Sequence, residues 1–199
     1  MILIISIDIS FALANKSEAC VAIIGTGNVI FNKRKDSIKK IAGYGPLFDE
    51  SLSGYDIGRR AIKTILNECE NNEALSYLRT QIKEGPIEIV RKSYLEGKKY
   101  IASFCPLVFE GIKNNDNKCQ EILKASLFNF LSLLEIVYKE NNSECLDVYL
   151  TGGLVNVWDI IKTFLSEDSQ KKFNFIAIKT KPVFGAIKIV DNNFQLSNF

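Results

Sequence analysis

The feature that most constrains the fold is an apolar run that breaks at a short glycine-rich segment and then resumes. Residues 19–24 and 28–33 are rich in β-branched side chains, and Gly25, Thr26 and Gly27 separate them. This pattern predicts two strands joined by a tight turn. The two glycines allow positive φ angles and let backbone N–H groups converge on an anionic oxygen such as a phosphate. An ordinary hairpin turn explains an isolated Gly-x-Gly at least as well. Other segments of the chain are therefore needed to distinguish a phosphate-binding turn from a hairpin turn.

Composition and charge narrow the classes of protein. At 199 residues and 47% hydrophobic content, the chain can form one large domain or two small lobes with a substantial core. The formal charge of +2 predicts neither a nucleic-acid partner nor binding to an anionic membrane. Residues 1–7 are apolar, but no basic segment precedes them and Asp8 interrupts the run, which argues against a signal peptide and a membrane span.

The cysteine and histidine content excludes several kinds of site. The five cysteines show no C-x-x-C spacing, which argues against a structural zinc site and a disulfide framework. We therefore expect buried thiols, a cytoplasmic location and no metal bound directly by the protein. The chain contains no histidine, so Ser-His-Asp and Cys-His catalysis are excluded. A general base must then be a carboxylate, lysine, tyrosine or cysteine.

Asp8 is the first catalytic candidate. Residues 2–7 form a continuous apolar run that predicts a buried strand, and a short helical segment over residues 10–14 follows. Asp8 would then lie at the carboxyl end of a strand, the edge at which open α/β sheets bind ligands. A helix-capping role for the same aspartate is the alternative, and the two roles are compatible.

The order of predicted elements indicates an α/β lobe. A third strand over residues 38–42 completes an antiparallel meander, and a turn-rich loop over residues 43–55 follows. Apolar residues at helical spacing then predict helices, with a break at Pro106, before the chain returns to strands. The predicted helices cover residues 55–68, 73–82, 86–95, 98–112 and 117–138, and later segments are strands at 147–150 and 173–178, a helix between them, and a last helix to about 190. The result is a mixed sheet with a helical insertion over about residues 73–140.

A second glycine-rich segment follows the predicted strand over residues 147–150. Gly152 and Gly153 come directly after Thr151, and a helical pattern continues beyond them. Strand, glycine pair and helix form a geometry in which a ligand can approach the backbone near the amino end of a helix. A tight βα turn with no ligand is the alternative.

Taken together and in this order, these segments resemble the N-acetylglucosamine kinase and BadF/BadG/BcrA/BcrD ATPase family, within the actin, sugar kinase and Hsp70 superfold. The resemblance covers about residues 5–189 and implies a ribonuclease H-like lobe. The segments that carry it are Asp8; Ile24-Gly25-Thr26-Gly27-Asn28; Ala42-Gly43-Tyr44-Gly45-Pro46-Leu47; Ser53-Gly54-Tyr55-Asp56-Ile57-Gly58; Thr151-Gly152-Gly153-Leu154 with Asn156 and Trp158; and Pro182-Val183-Phe184-Gly185-Ala186.

The resemblance implies phosphoryl transfer from ATP to a hydroxyl of an amino sugar, N-acetylglucosamine first, with Mg²⁺ bound through the phosphates. It implies that Asp8 takes the proton from the sugar hydroxyl. It assigns ATP to Gly25, Thr26, Gly27, Gly152, Gly153, Leu154 and Asn156. It assigns the sugar to Asn28, Gly43, Tyr44, Gly45 and Glu50.

Two departures from the family pattern shape the expected activity. The family's Gly-Asp-Glu-Gly-Ser is Asp49-Glu50-Ser51-Leu52-Ser53 here, so the sugar-binding carboxylate becomes the longer Glu50. The family's Asp-Gly-Gly-Gly-Thr phosphate loop is not in this sequence. We therefore expect residues 1–199 to form a single C-terminal-type lobe without the N-terminal lobe, weak or inactive by itself.

Two functions remain open at this stage. The first is an N-acetylglucosamine kinase-like enzyme that works as a homodimer or with a separate N-terminal lobe. The second is a non-catalytic nucleotide- or sugar-binding interaction module with the same fold. An ATPase activator of a radical enzyme is less favoured, because no cysteine motif suggests a shared cluster.

Overall fold

The structure, a computed structural model, describes residues 18–35, 37–71 and 75–179. The predicted first strand, Asp8 and the predicted last helix lie outside the described residues.

Five described strands form one mixed sheet in the order β3-β2-β1-β4-β5. β1 pairs antiparallel with β2 and β2 antiparallel with β3, whereas β4 runs parallel to β1 and β5 parallel to β4. The strands are β1 Ala19–Ile24, β2 Asn28–Arg34, β3 Ser37–Ile41, β4 Leu146–Thr151 and β5 Phe173–Ala177. The predicted meander and the α/β class with a mixed sheet are confirmed.

Helices occupy most of the described chain between β3 and β4. They are α1 Gly54–Asn71, α2 Tyr77–Gln81, α3 Pro86–Glu96, α4 Lys98–Ala102, α5 Cys105–Lys113 and α6 Asn117–Asn141. The predicted break at Pro106 is confirmed, because the proline falls in the first turn of α5 and separates it from α4. None of the helices within the described residues is long and apolar enough to cross a membrane.

The segment after β4 differs from the single predicted helix. It consists of a 3₁₀ helix Gly153–Val157, helix α7 Trp158–Ile161 and a second 3₁₀ turn Lys162–Phe164. The hydrogen bond from the Val155 N–H to the Gly152 carbonyl, 3.2 Å long, winds the first turn more tightly than an α-helix. Helix α8 Glu167–Lys172 was not predicted, because its polar sequence lacks apolar periodicity and only its Ser166 cap marks it.

The sheet carries apolar side chains on both faces. The larger cluster lies between one face and the helices, and includes Ile24, Ile30, Ile57 and Leu150. A smaller cluster of Ala19, Val21, Phe31 and Tyr149 covers the other face. This two-sided burial explains why β1 has a continuous apolar sequence rather than an alternating one.

The cysteines are all free thiols, but they do not share one environment. Cys20, Cys105 and Cys119 are buried, Cys69 is half-buried and Cys145 is exposed. Burial raises the pKa of Cys20 and of Cys105 to about 12, so these thiols stay protonated and unreactive. The expectation of buried thiols throughout is therefore wrong for Cys145, which follows the end of α6 at the surface.

Candidate functional site

The strand directions bring three turns to one edge of the sheet. Ile24 pairs with Asn28, so the 25–27 turn closes the hairpin at this edge. Ile23 pairs with Thr151 of the parallel strand β4, so β4 ends at the same edge. β3 runs antiparallel to β2 and also ends there. Ligands bind at the carboxyl ends of strands in open α/β sheets, which makes this edge the candidate site.

Hydrogen bonds from helix α1 fix the 25–27 turn in place. The Gly54 N–H donates to the Gly25 carbonyl at 2.7 Å, and the Tyr55 N–H donates to the Thr26 carbonyl at 3.0 Å. Within the turn, the Gly25 N–H donates to the Gly27 carbonyl at 2.9 Å. Neither Gly25 nor Gly27 adopts the positive φ angle that glycine allows. A β-carbon on Gly25 would make only ordinary contact with the Gly153 nitrogen, at 3.8 Å, and one on Gly27 would lie 3.2 Å from Lys98 Nζ.

The second glycine turn lies beside the first. Gly152 has φ +103°, and a β-carbon on it would lie 2.5 Å from the Ile24 carbonyl oxygen, so both conformation and space require glycine. A β-carbon on Gly25 would lie 3.8 Å from the Gly153 nitrogen, which shows that the two turns adjoin. A β-carbon on Gly153 would meet nothing within 4 Å. The backbone at Gly153 is therefore open to a ligand.

The other two predicted ATP-binding residues differ from each other in exposure. Leu154 is buried in the core. Asn156 is exposed. The structure therefore leaves an adenosine contact from the Asn156 side chain open and excludes one from the Leu154 side chain.

A cavity of about 210 Å³ lies beside the 25–27 turn. Four predicted residues line it, and they come from the turn, from the start of β2 and from the loop after β3. Those four residues are Gly27, Asn28, Gly43 and Gly45. Sequence reasoning did not select Asp49 and Lys98, which also line this cavity.

Asn28 supplies an unsatisfied acceptor in the cavity wall. Asn28 is only 5% exposed, and its side-chain amide N–H donates to the Leu52 carbonyl at 3.1 Å. The Leu52 oxygen can only accept, so this bond fixes which end of the Asn28 amide faces it. Oδ1 then has no partner among the described residues. A buried acceptor of this kind suits a donor from a ligand, such as a sugar hydroxyl or an acetamido N–H.

Asp49 holds the loop over residues 43–49 in shape. Its carboxylate accepts the Gly43 N–H at 3.0 Å and the Gly45 N–H at 2.6 Å. Lys40 Nζ donates to the Gly43 carbonyl at 2.7 Å. Gly43 and Gly45 both have positive φ angles, which leave their N–H groups pointing toward a single acceptor. An aspartate shortly after a pair of loop glycines is the signal that could have identified this residue.

Tyr44 and Glu50 lie apart from this cavity and line a neighbouring one of about 400 Å³. Tyr44 is 67% exposed. The Glu50 carboxylate forms an ion pair with Arg59 at 2.8 Å. The structure therefore brings Asn28, Gly43 and Gly45 together but does not place Tyr44 and Glu50 with them.

A ligand at this edge of the sheet would contact main-chain atoms, because the two glycine turns adjoin and a β-carbon on Gly153 would meet nothing within 4 Å. In the described part of the chain, no group of three or more His, Cys, Asp or Glu residues is placed to hold a metal ion. A Mg²⁺ ion at these residues would depend on the phosphates for most of its ligands.

The chain resembles known proteins in sequence and in fold. No family model matches the chain. The chain is 29% identical to an N-acetylmuramic acid/N-acetylglucosamine kinase of Clostridium acetobutylicum, over 92% of this chain and 65% of the relative. The predicted resemblance to the N-acetylglucosamine kinase family is confirmed. The chain thus spans less than two thirds of the length of this curated relative.

Solved structures of two candidate N-acetylglucosamine kinases share the fold. The protein from Porphyromonas gingivalis superposes with a TM-score of 0.74 at 17% identity, over 94% of this chain and 65% of that one. The protein from Chromobacterium violaceum gives a TM-score of 0.70 at 18% identity, over 92% of this chain and 62% of that one. The predicted sugar kinase type of α/β fold is confirmed.

Proposed function

We propose that this chain forms the sugar-binding part and half of the nucleotide-binding part of an ATP-dependent amino-sugar kinase. The observation that carries the proposal is the cavity in which the 25–27 turn, Asn28 and the 43–49 loop meet. One wall comes from the turn predicted to hold phosphate, and the other from the loop predicted to hold sugar. Phosphoryl transfer requires this proximity of the two substrates, since it depends mainly on positioning and charge stabilisation.

Each residue has a distinct role in this proposal. The 25–27 turn and the backbone at Gly152 and Gly153 hold the nucleotide, and the exposed Asn156 contacts its adenosine. Asn28 Oδ1 accepts a hydrogen bond from the sugar. Bound Mg²⁺ neutralises charge on the phosphates. Asp8 takes the proton from the attacking sugar hydroxyl.

The substrate of the proposed reaction is an amino sugar, and N-acetylglucosamine is the leading candidate. The Clostridium relative is named for N-acetylglucosamine and N-acetylmuramic acid. The buried Asn28 acceptor suits either sugar, because both carry hydroxyl and acetamido donors. Coupled ATP turnover with both sugars, and with glucose as a control that lacks the acetamido group, tests the choice.

The Asp8→Asn variant tests the role of the proposed base. Loss of a general base lowers the turnover rate by about 10²- to 10⁴-fold, whereas ATP binding should persist. Asp168→Asn is a matched control, because Asp168 lies on helix α8 with an exposed side chain paired to Lys172. Equal loss of turnover in both variants would contradict the assignment of Asp8.

We also propose that full activity requires a further phosphate loop of the Asp-Gly-Gly-Gly-Thr kind, supplied by a lobe whose sequence lies outside residues 1–199. If the chain by itself shows no turnover, addition of the N-terminal lobe of the Clostridium relative should restore it. Failure with every sugar, with and without that lobe, would refute the kinase proposal.

A non-catalytic interaction module is the second candidate. Exposed apolar side chains favour it: Leu47 is 84% exposed and Phe48 76%, while Ile87 is 83% and Tyr94 87%. Such groups are typical of surfaces that bind other proteins. Heats of ATP or sugar binding without turnover, together with self-association in sedimentation, would favour this function over the kinase.

A further inference from the structure

The ammonium group of Lys98 places a positive charge beside Gly27 of the 25–27 turn. Lys98 is the first residue of helix α4, and its side chain lines the cavity beside the 25–27 turn. A β-carbon on Gly27 would lie 3.2 Å from Lys98 Nζ, so the ammonium group already occupies the space next to that glycine. The cation comes from a helix more than 70 residues later in the sequence, which is why the motif alone did not reveal it.

Two features of the backbone bring Lys98 to this position. Gly97 has φ +61° and turns the chain sharply between α3 and α4. Helix α4 packs against α1 at very close range, since a β-carbon on Gly58 of α1 would lie 2.0 Å from the Ile101 carbonyl oxygen of α4. Gly54, one turn earlier on α1, faces Ala102 of α4, and its N–H donates to the Gly25 carbonyl of the 25–27 turn. The same helix therefore positions both the turn and the lysine.

The ammonium group has no competing partner in the described part of the chain. The Lys98 side chain lines the cavity, is exposed, and forms no hydrogen bond or ion pair with another described residue. The carboxylate of Asp49 lines the same cavity but binds the N–H groups of Gly43 and Gly45 instead. The buried Oδ1 of Asn28, also in the cavity wall, lacks a donor. The cavity therefore offers both a cation and an acceptor to a ligand.

We propose that Lys98 binds the terminal phosphate of the nucleotide at the 25–27 turn. This inference rests on the proposed function and adds a residue to its site. A phosphate is the ligand chemistry that suits an ammonium group beside a glycine turn, because ammonium donates charge-assisted hydrogen bonds to anionic oxygens. Lysine is a common phosphate ligand and acts there as a flexible point charge.

The test measures binding of three probes to the full chain by calorimetry in the presence of Mg²⁺: ATP, ADP and inorganic tripolyphosphate. Lys98→Met should weaken ATP and tripolyphosphate binding by about tenfold, a typical loss for one hydrogen bond to a charged group, and should affect ADP less. Lys98→Arg should restore most of the affinity. Lys99→Met is the matched control, because it removes the same charge from the adjacent residue, which does not line the cavity.

A second measurement needs no variant and so does not depend on folding. Mild acetylation followed by mass spectrometry compares the reactivity of Lys98 and Lys99 in the native chain. Tripolyphosphate should protect Lys98 and leave Lys99 reactive. Equal protection of both lysines, or of neither, would overturn the assignment.

The outcomes separate this inference from the kinase proposal. Equal ATP affinity in Lys98→Met and the unmodified chain overturns the role of Lys98 and leaves the kinase proposal standing. The two proposals can also fail separately in another way. If tripolyphosphate binding depends on Lys98 but no phosphoryl transfer from ATP to any amino sugar occurs, even with the second lobe added, the kinase proposal is refuted and the phosphate contact is supported. Weaker binding of N-acetylglucosamine phosphate with unchanged ATP binding places Lys98 on the sugar side and overturns the proposal. Absence of tripolyphosphate binding to the unmodified chain also overturns it.

Discussion

The 25–27 turn and the 43–49 loop border the same cavity, but different interactions hold them. The turn is fixed by main-chain bonds, since its carbonyl groups accept the first N–H groups of helix α1. The loop is held largely by side chains, because the Asp49 carboxylate accepts the N–H groups of both Gly43 and Gly45 and Lys40 donates to the Gly43 carbonyl. The surroundings differ as well: the turn adjoins buried strands, whereas Leu47 and Phe48 in the loop are largely exposed.

This difference suggests a division of tasks within the proposed site. A turn held by backbone bonds presents nearly the same geometry whatever side chains surround it, which suits the constant phosphate groups of ATP. A loop held largely by side chains can change shape through substitutions at one or two positions, which suits the recognition of different sugars. The predictions below separate the rigid part from the adjustable part, in order of decreasing expected effect.

The largest expected effect comes from adding a methyl group to a glycine on the rigid side. Gly152 and Gly45 have nearly the same φ, +103° and +104°. A β-carbon on Gly152 would lie 2.5 Å from a backbone oxygen, whereas one on Gly45 would meet nothing within 4 Å. Gly152→Ala should therefore lower the free energy of unfolding by about 4 kcal/mol, from backbone strain and overpacking together, and Gly45→Ala by about 1 kcal/mol, from strain alone.

Urea denaturation measures the free energy of unfolding of the two variants. The comparison requires that their m-values be equal. Because the two glycines have nearly the same φ, the difference between the variants reports mainly the steric contribution. Equal destabilisation would show that the 152–153 turn can move away from β1, and the description of this side as rigid would be wrong.

The sequence predicted the fold more completely than it predicted the site. Glycine, proline and periodic apolar residues act locally, so the hairpin at Gly25, the break at Pro106 and the strand before Gly152 could all be predicted. Lys98 and Asp49 could not be selected in the same way. Lys98 reaches the cavity only because α4 packs against Gly58, and such contacts between distant segments leave no local pattern. For Asp49 the one local signal is its position shortly after two loop glycines, and the family motif indicates the neighbouring Glu50 instead.

The second prediction compares the adjacent carboxylates Asp49 and Glu50. Asp49→Ala should weaken sugar binding by about tenfold, since the loop loses two charge-assisted hydrogen bonds and must be ordered by the ligand instead. Glu50→Ala should change sugar affinity less than threefold, because its carboxylate pairs with Arg59 and lies outside the cavity beside Asn28. Calorimetric titration with N-acetylglucosamine measures both. A larger effect from Glu50→Ala would support the sugar contact predicted from the family motif and show that the sugar extends into the neighbouring cavity.

The smallest effect concerns Asp116, which holds helices in the way that Asp49 holds the loop. Its carboxylate accepts the Tyr77 N–H and the Cys119 N–H, both at 2.7 Å, and so caps helix α6 and ties α2 to it. Burial alone would raise the pKa of Asp116, but these hydrogen bonds to the charged form outweigh it and hold the pKa below its ordinary value.

A lowered pKa in the folded state means that Asp116 stabilises the fold above its ordinary pKa of about 4 and that this contribution is lost as the pH falls through the lower folded value. Asp116→Asn should therefore cost about 1 kcal/mol at pH 7 and progressively less as the pH falls through the lowered pKa of Asp116, where its stability curve approaches that of the unmodified chain. Urea denaturation between pH 3 and pH 7 measures the difference. A constant gap across this range would mean that Asp116 acts through packing rather than charge. A larger loss of unfolding free energy from Asp116→Ala than from Asp49→Ala would show that the same pair of hydrogen bonds stabilises packed helices more than it stabilises an open loop.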